Sequence, residues 1–591
     1  MPEFDNVAIA QLFDLTADLL ELADVDKFRF LSYRKAASSI RAWPEQVSAL
    51  AEEHRLTEVP GVGAKLAVAI ERILATGTFP EYEDAAALFP PSLTEVMEIP
   101  GVGPKKARLL YDELNVTSVS DLERALAEDR LTGLPGLGAK SIQSIAAGVE
   151  TYRRHRSRLL LMDALPLSER IVEELLLVPA VERAEAAGSL RRRVETIGDI
   201  DVLVSSTDPA AVMKAARELP LVTRVLASGA TKTSVLTTAG LQVDVRVVEP
   251  DSFGAALQYF TGSKAHNVEL REIAKRQGLK VNEYGVFRVG EAEPDEAGTV
   301  SPVEMRLGGH TEQEVYALLG MDTPPPEIRE GLGEIDAAQE HRLPSLLELA
   351  DMRGDLHVHS DSTDSRSSIE ENRAKAAELG YEYVAVTDHA YNLRMVLGLD
   401  VEQLEEQWAH VEALNATPGP RVLKGIELNI GEDGSIDYEH DVLARFDFCI
   451  ASLHSGWNEP GDVMTRRLIA AIEHPLVDII GHPTGRIIGR RDPIALDMEA
   501  VLQAAGRTGT IMELNAYPDR LDLSDVHLRM ARRFGVRFAI NTDAHHAEQM
   551  GYLRYGVYTA RRGWVTKDEV LNAQPLEVML SWLKRSARAQ A

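Results

Sequence analysis

At 591 residues and 64.9 kDa the chain is too long for one hydrophobic core, and roughly three to five domains are expected. Apolar residues at 45% and charged residues at 26% exclude a disordered protein, and no apolar run approaches the roughly 20 residues that span a bilayer. The net charge of −29 argues against a surface coated in nucleic acid. That charge is uneven, however. Residues 101–290 hold 26 Lys and Arg against 24 Asp and Glu, with clusters at Arg153, Arg154, Arg156 and Arg158 and at Arg191, Arg192 and Arg193. A phosphate backbone is therefore compatible with the middle of the chain. The first residues, MPEFDNVAIAQLFDLTADLL, are acidic where a secretory signal would be basic. One cysteine, Cys449, leaves no internal disulfide, so a cytoplasmic protein is expected.

Residues 1–150 read as helices with Gly/Pro punctuation. Three segments repeat one another: EVPGVGAKLAVAI at 58–70, EIPGVGPKKARLL at 98–110 and GLPGLGAKSIQSI at 133–145. In each, paired glycines (Gly61 and Gly63, Gly101 and Gly103, Gly136 and Gly138) precede a helix. Glycine lets a phosphate approach the backbone, and the free N–H groups of the following helix can bind it. Lys65 adds a cation to the first turn.

From about residue 186 the texture becomes strand-like, in DIDVLVSS and LQVDVRVVEP, with a helix expected over 209–218. Asp199 and Asp201 stand two apart on one strand and project from one face; Asp244 lies on a second strand. Three such carboxylates without a lysine partner nearby in sequence would repel one another unless divalent cations sat between them. Two Mg²⁺ ions so held support in-line phosphoryl transfer. Gly188, Ser189 and Gly198 flank this strand, and Arg192 is placed to pair with a triphosphate. Residues 251–320 read as mixed helix and turn, and the Pro- and acid-rich stretch from 321 reads as a linker.

After residue 352 short strands alternate with helices: VAVTDH, RVLKGIEL, FCIASLH, VDIIGH, TIMELNA and RFAINTD. That rhythm predicts a βα barrel or layered sheet with its reactive residues at the C-terminal strand ends. His357, His359, Asp364, His389, Glu427, His454, His482, Asp543 and His545 fall at or near such ends. Mixed imidazole and carboxylate donors favour Mn²⁺, Zn²⁺ or iron over Mg²⁺, and such a cluster supplies hydroxide to a phosphoester. Asp388 and His546, beside ligand candidates, are read as supports.

The three glycine turns resemble helix-hairpin-helix motifs. The pattern G-S…D-x-D, followed by Tyr259-Phe260-Thr261-Gly262-Ser263-Lys264-Ala265-His266-Asn267-Val268-Glu269-Leu270-Arg271, resembles the family X DNA polymerase signature over about residues 1–320. The resemblance implies that Tyr259 and Phe260 lie beneath the sugar and disfavour ribonucleotides. Gly262 and Lys264 would belong to the nucleotide-binding turn, Lys264 holding a triphosphate even before Mg²⁺ arrives. Asn267 and Arg271 would meet the nascent base pair from the minor groove. The first repeat resembles the family's lyase domain, but the Schiff-base lysine position is Ala69, so the nucleophile is missing; Lys65 matches a phosphate-binding lysine. Residues 352–575 are similar to the PHP family, with all nine positions of its trinuclear metal site filled.

Together these resemblances imply a multidomain chain. An all-α helix-hairpin-helix region comprises a lyase-like domain at 1–85 and a DNA-binding region at 86–155. An α+β nucleotidyltransferase palm at 156–250 and a thumb at 251–320 follow. A linker at 321–351 leads to an α/β PHP domain at 352–591, folded as a distorted (β/α)7 barrel. The implied function is gap-filling DNA synthesis in base excision repair, with Mg²⁺ in the palm. A 3′–5′ exonuclease, and in many relatives cleavage at abasic sites, would use about three Mn²⁺ or Zn²⁺ ions. The implied partners are gapped or primer–template DNA and dNTPs, in the cytoplasm at the nucleoid. Two alternatives remain at this point: a PHP phosphoesterase targeted to DNA by an inactive polymerase-like module, and a non-catalytic end-binding scaffold.

Overall fold

The computed structural model describes residues 6–585 apart from 43–46, 60, 98, 100, 157, 295–299, 394–397 and 458. The chain divides into two compact units, one of residues 1–156 and 489–491 and the other of the remainder.

The first unit is helical, from Asn6–Leu22 to Ala139–Arg156. Its core includes Phe13, which meets the edges of Tyr33 and Phe79 at centroid distances of 5.4 and 5.5 Å. The three repeats fold alike. In each, the residue between the two glycines (Val62, Val102, Leu137) is buried. Its N–H closes a turn onto the carbonyl three residues back, at 2.9, 2.8 and 3.2 Å. The first glycine of each pair has φ of +80°, +88° or +78°, a left-handed backbone that other residues resist. A buried apolar residue between two exposed glycines therefore pins the turn and leaves its backbone facing solvent. Pro60 and Pro100, and the side chains of Arg153, Arg154 and Arg156, lie outside the described residues.

In the second unit, a five-stranded sheet forms the palm. Strand Asp199–Ser206 lies between Val181–Ala186 and Gln242–Val248, pairing parallel to the latter; Lys232–Thr237 and Val222–Ser228 complete the far edge. The expected helix is Pro209–Glu218, capped by the Asp208 side chain, which accepts from the N–H of Ala211. Beyond it, residues 251–320 are not only helix and turn. Strands Leu279–Asn282, Gly285–Pro294 and Val300–Gly308 form an antiparallel sheet. The alternating LKVN and GVFRV flank a two-residue turn, a hairpin pattern that the surrounding helices obscured.

The stretch 321–351 is folded and not a free linker. Met321, Ile335 and Ala338 join the core formed with helices Lys264–Arg276 and Glu312–Leu318. Leu347 donates its N–H to Val565 in the following domain. Its acids pair with two half-buried arginines and a buried histidine: Glu327 with Arg561, Glu330 with Arg562, Glu334 with His266. Composition alone reads such acids as solvated.

Glu312, 7% exposed, lies between Arg191 and the almost fully buried Arg329. Burial works against its charge, but hydrogen bonds and attraction from the two guanidinium groups hold its pKa down at about 2. A carboxylate depressed in the fold stabilises above its unfolded pKa, and that stability is lost as pH falls through the folded value. Glu312→Ala is accordingly expected to destabilise the second unit by about 3–5 kcal/mol at neutral pH. The deficit relative to wild type should shrink between pH 4.5 and 2, as followed by urea unfolding.

The C-terminal domain is a closed parallel barrel. Strands begin at Gly354, Tyr383, Arg421, Ile450, Ile479, Ile511 and Phe538, and Arg421–Lys424 resumes after a break as Glu427–Asn429. The ring closes where Val358 pairs with Ala544. Seven staves fit the expected distorted (β/α)7 barrel. Leu356, Tyr383, Ala385, Leu423, Phe448, Ile450, Ile479, Ile511 and Ala539 share one apolar core at the lower end. Period-two alternation carries that same face upward to the ligand candidates, from Ala385 to His389, Ile450 to His454 and Ala539 to Asp543 and His545.

Candidate active sites

In the palm, parallel pairing sets Asp201 directly opposite Asp244, and Asp199 stands exposed at the strand's start. Burial first, then the charges of Asp199 and Asp244, raise the pKa of Asp201 to about 6. Asp244 is lowered: burial opposes its charge, but hydrogen bonds from Lys232, Ser234 and Gln242 outweigh it. The expectation that the carboxylates have no lysine partner is therefore corrected. Lys232 Nζ lies 2.6 Å from Asp244 Oδ2, reaching from the neighbouring strand, a diagonal contact that linear spacing conceals.

Gly188, at φ +64°, packs so closely that a Cβ there would come within 2.6 Å of Asp201 Oδ2. Ser189 follows it, partly exposed. A Cβ at Gly198 would meet Arg158 at 2.8 Å. Arg192, expected to pair with a triphosphate, donates from Nε to Glu330 and from Nη1 to the Thr261 carbonyl, at 2.9 and 2.8 Å. Tyr259 and Phe260 sit edge to face, 5.1 Å between centroids, and Arg246 stacks over Phe260 at 4.5 Å. Asn267 holds the turn after them. Its Nδ2 donates to the carbonyls of Tyr259 and Gly262, and its Oδ1 accepts from Gln258. Gly262 is required beneath it, since a Cβ would come within 2.8 Å of Asn267 Oδ1. Lys264 and Arg271 are exposed on the helix that follows.

In the first unit, Gly61, Gly63, Gly101, Gly103, Gly136, Gly138 and Lys65 are all exposed. Ala69 is buried on helix Ala64–Thr76, so no side-chain amine stands where the resemblance would place a Schiff-base lysine.

The barrel brings all nine of its ligand candidates together. Glu427 lies 2.9 Å from His389 Nδ1, 2.9 Å from His482 Nε2, 3.2 Å from His454 Nε2 and 3.6 Å from His357 Nε2. Asp543 approaches His359 at 3.1 Å and His357 at 3.7 Å. Asp364 approaches His545 at 3.2 Å and His389 at 3.5 Å. Three overlapping groups have cation-binding geometry: His359, Asp364, His389 and His545; His357, His359 and Glu427; His389, Glu427 and His454. His357 Nε2, His359 Nδ1 and His482 Nδ1 are buried without a hydrogen-bond partner. Burying such atoms unpaired is costly, and divalent cations would supply the missing partners. Burial, then the neighbouring His545 and His389, lower the pKa of His359 to about 3, whereas, against burial, the nearby carboxylates raise those of His357, His389 and His545, so that loading a cation there would displace protons.

Asp388 ties down the loop that carries Asp364, accepting from Ser360, Thr363 and Gln407. His546 caps the turn at 547–552. Two further supports went unread in the sequence. Buried Glu513 accepts from His357 Nδ1 at 2.8 Å and is itself held by Asn541; Asn429 Oδ1 meets His454 Nδ1 at 2.8 Å. Each leaves the ring's Nε2 pointing into the cluster, the tautomer a metal requires. The signal for Glu513 was present as a lone charge within the apolar strand Ile511–Asn515. Glu513→Gln should weaken metal binding by roughly 10–100-fold, measured by chelator competition. Unaltered affinity would show that Glu513 does not orient His357.

Fold and sites together define a nucleotidyltransferase joined to a metal-dependent phosphoesterase. Residues 4–79 match the helix-hairpin-helix domain and 93–150 the SAM-like helix-hairpin-helix tandem. Residues 256–330 match the DNA polymerase beta thumb and 355–516 the PHP domain. The chain is 37% identical to the "DNA polymerase/3'-5' exonuclease PolX" of Bacillus subtilis, over 98% of this chain and 99% of that one. It is also 31% identical to a "Probable phosphatase" of Thermoanaerobacter sp., over 37% of this chain and 89% of the relative. A "Probable phosphatase" of Syntrophotalea carbinolica is 30% identical over 39% and 95%. The chain belongs to the family X DNA polymerases that carry a C-terminal PHP domain. Among the described residues no helix is long and apolar enough to cross a membrane.

Proposed function

We propose that the chain is a DNA-directed repair polymerase that fills gaps from its palm and removes 3′-terminal nucleotides with its PHP domain, on chromosomal DNA in the cytoplasm. The observation that carries the reading is the in-register pair Asp201 and Asp244 beneath the Gly188 turn, on a chain that also assembles the nine-residue cluster. Two Mg²⁺ held by Asp199, Asp201 and Asp244 would activate the primer 3′-hydroxyl and neutralise the leaving pyrophosphate. Lys232 keeps Asp244 ionised for that purpose. Ser189, Arg192 and Lys264 receive the triphosphate, and the Tyr259–Phe260 pair, held by Asn267, sets the floor for the sugar. Arg271 is exposed for contact with the nascent pair. The six glycines and Lys65 bind DNA backbone without reading sequence, which suits an acidic protein because main-chain N–H groups do the work.

In the barrel, His357, His359, Asp364, His389, Glu427, His454, His482, Asp543 and His545 would hold three Mn²⁺ or Zn²⁺ ions, whose chemistry supplies a hydroxide at neutral pH. Glu427 and Asp543, each touching several imidazoles, would belong to more than one of the ligand groups that hold them. Cleavage at abasic sites is the second activity this cluster suits. With Ala69 in place, lyase chemistry by a Schiff base is not expected.

The two sites differ in donor type, so their metals should separate. Oxygen donors suit Mg²⁺; six imidazoles with three carboxylates favour Mn²⁺ and Zn²⁺. After stripping with chelator, Mg²⁺ alone should restore extension of a labelled primer, and strong 3′–5′ degradation should return only with Mn²⁺ or Zn²⁺. Full degradation in Mg²⁺ alone, with no transition metal by elemental analysis, would refute the assignment.

A further inference from the structure

We propose that the PHP domain supplies positioning residues to the triphosphate-binding turn of the polymerase, with Arg562 foremost. The inference rests on the polymerase reading above. Arg562 ends helix Leu553–Arg562. Its Nη1 donates to the main-chain carbonyl of Arg192 at 2.8 Å and to Glu330 Oε1 at 2.9 Å, while Nη2 pairs with Asp525 at 2.8 Å. The same Glu330 oxygen accepts from Arg192 Nε at 2.9 Å. One carboxylate is thus shared by a palm arginine and a PHP arginine.

That sharing has an electrostatic consequence. A carboxylate bonded to a single guanidinium holds it firmly in a partly buried site; divided between two, it holds each less. Arg192 commits Nε to Glu330 and Nη1 to Thr261, and Nη2 is the arm these contacts do not use. Arg562 draws charge from Glu330 and keeps Arg192 available to an incoming triphosphate.

The neighbouring residues are held from the same side. Arg193 adopts φ +56°, a left-handed backbone that an arginine takes only when its surroundings impose it. Its guanidinium stacks over Tyr558 at 4.7 Å. Glu195 pairs with Arg486 at 2.7 Å, and Arg486 also donates to the carbonyls of Arg520 and Leu521. Leu521 and Tyr555 are buried in the palm's own core. Residues 192, 193 and 195, which follow the Gly188–Ser189 turn, are therefore each fixed by a PHP side chain.

The test uses the full chain, with kcat and KM for a dNTP measured on gapped DNA in Mg²⁺. Degradation in Mn²⁺ by the same preparations reports on the fold. Arg562→Met should raise KM for the dNTP about tenfold, with kcat and degradation within about threefold of wild type; Arg562→Lys should fall between. Adding Glu330→Gln to Arg562→Met should bring KM back to within about threefold of wild type, because a neutral amide releases Arg192. The inference is overturned by an unchanged KM in Arg562→Met, by no recovery in the double variant, or by equal loss of both activities in both Arg562 variants. A wild-type chain that extends no primer would instead remove the polymerase reading itself, a result distinct from extension with unaltered KM.

Discussion

Asp201→Asn should reduce primer extension by at least about 1000-fold while leaving 3′–5′ degradation near wild type. Asp201 lies at the centre of the palm site, opposite Asp244 and against the backbone of Gly188. The amide keeps the shape and removes the charge that two cations require. Stability should move the other way. Burial and the charges of Asp199 and Asp244 raise the pKa of Asp201 to about 6, so the folded state takes up a proton more readily than the unfolded chain. Ionisation of Asp201 at neutral pH therefore opposes folding, and in chelator the Asn variant should melt no lower than wild type, and higher above pH 6. Residual extension at a tenth of wild type would show that the site lies elsewhere. Loss of extension with a fall in melting temperature would show that the carboxylate is structural.

Glu427→Gln should abolish degradation, by about 1000-fold or more, and lower the bound transition metal while sparing extension. Glu427 is 1% exposed and lies within 4 Å of five imidazoles, those of His357, His359, His389, His454 and His482. Its charge is held well below the usual carboxylate range against the opposing effect of burial, by His454, His357 and His389. An uncharged amide in that position offers cations one neutral oxygen in place of a charged carboxylate, and its NH2 group would donate to a ring nitrogen that a cation would otherwise take. The contacts that support the palm from this domain run through Arg486, Tyr558 and Arg562, none of which touches Glu427 in the hydrogen bonds and ion pairs described above, so extension should stay within about threefold. Elemental analysis before and after chelation, with both activities on one labelled primer, decides it. Wild-type degradation with a full complement of metal would remove Glu427 from the ligand set.

Much of both sites could be read from linear order because each depends on local periodicity. Two carboxylates at i and i+2 on a strand share a face whatever surrounds them, and Asp199 and Asp201 do. Histidines at the ends of predicted βα strands must meet once the strands close into a ring. The three glycine turns repeat a local backbone geometry that needs no distant partner. The strands within residues 279–308 are not legible in the sequence, because short alternating strands between helices carry little signal of their own. The 321–351 stretch resembles a linker for a different reason: Glu327, Glu330 and Glu334 look solvated until the arginines and histidine that pair with them arrive from more than 60 residues away.

The order of the domains, the identity of the carboxylates and imidazoles, and the family resemblance are all legible in linear order, since they are properties of residue type and short-range spacing. How those groups are held depends on contacts between distant segments. Lys232 meets Asp244 because a hairpin brings their strands side by side. Glu513 orients His357 across 156 positions of sequence. Arg192 is shared, through Glu330, with an arginine 370 residues away. The physical reason is common to the three: burial removes water as the default partner, so each polar group must find another, and chain topology selects which one is within reach.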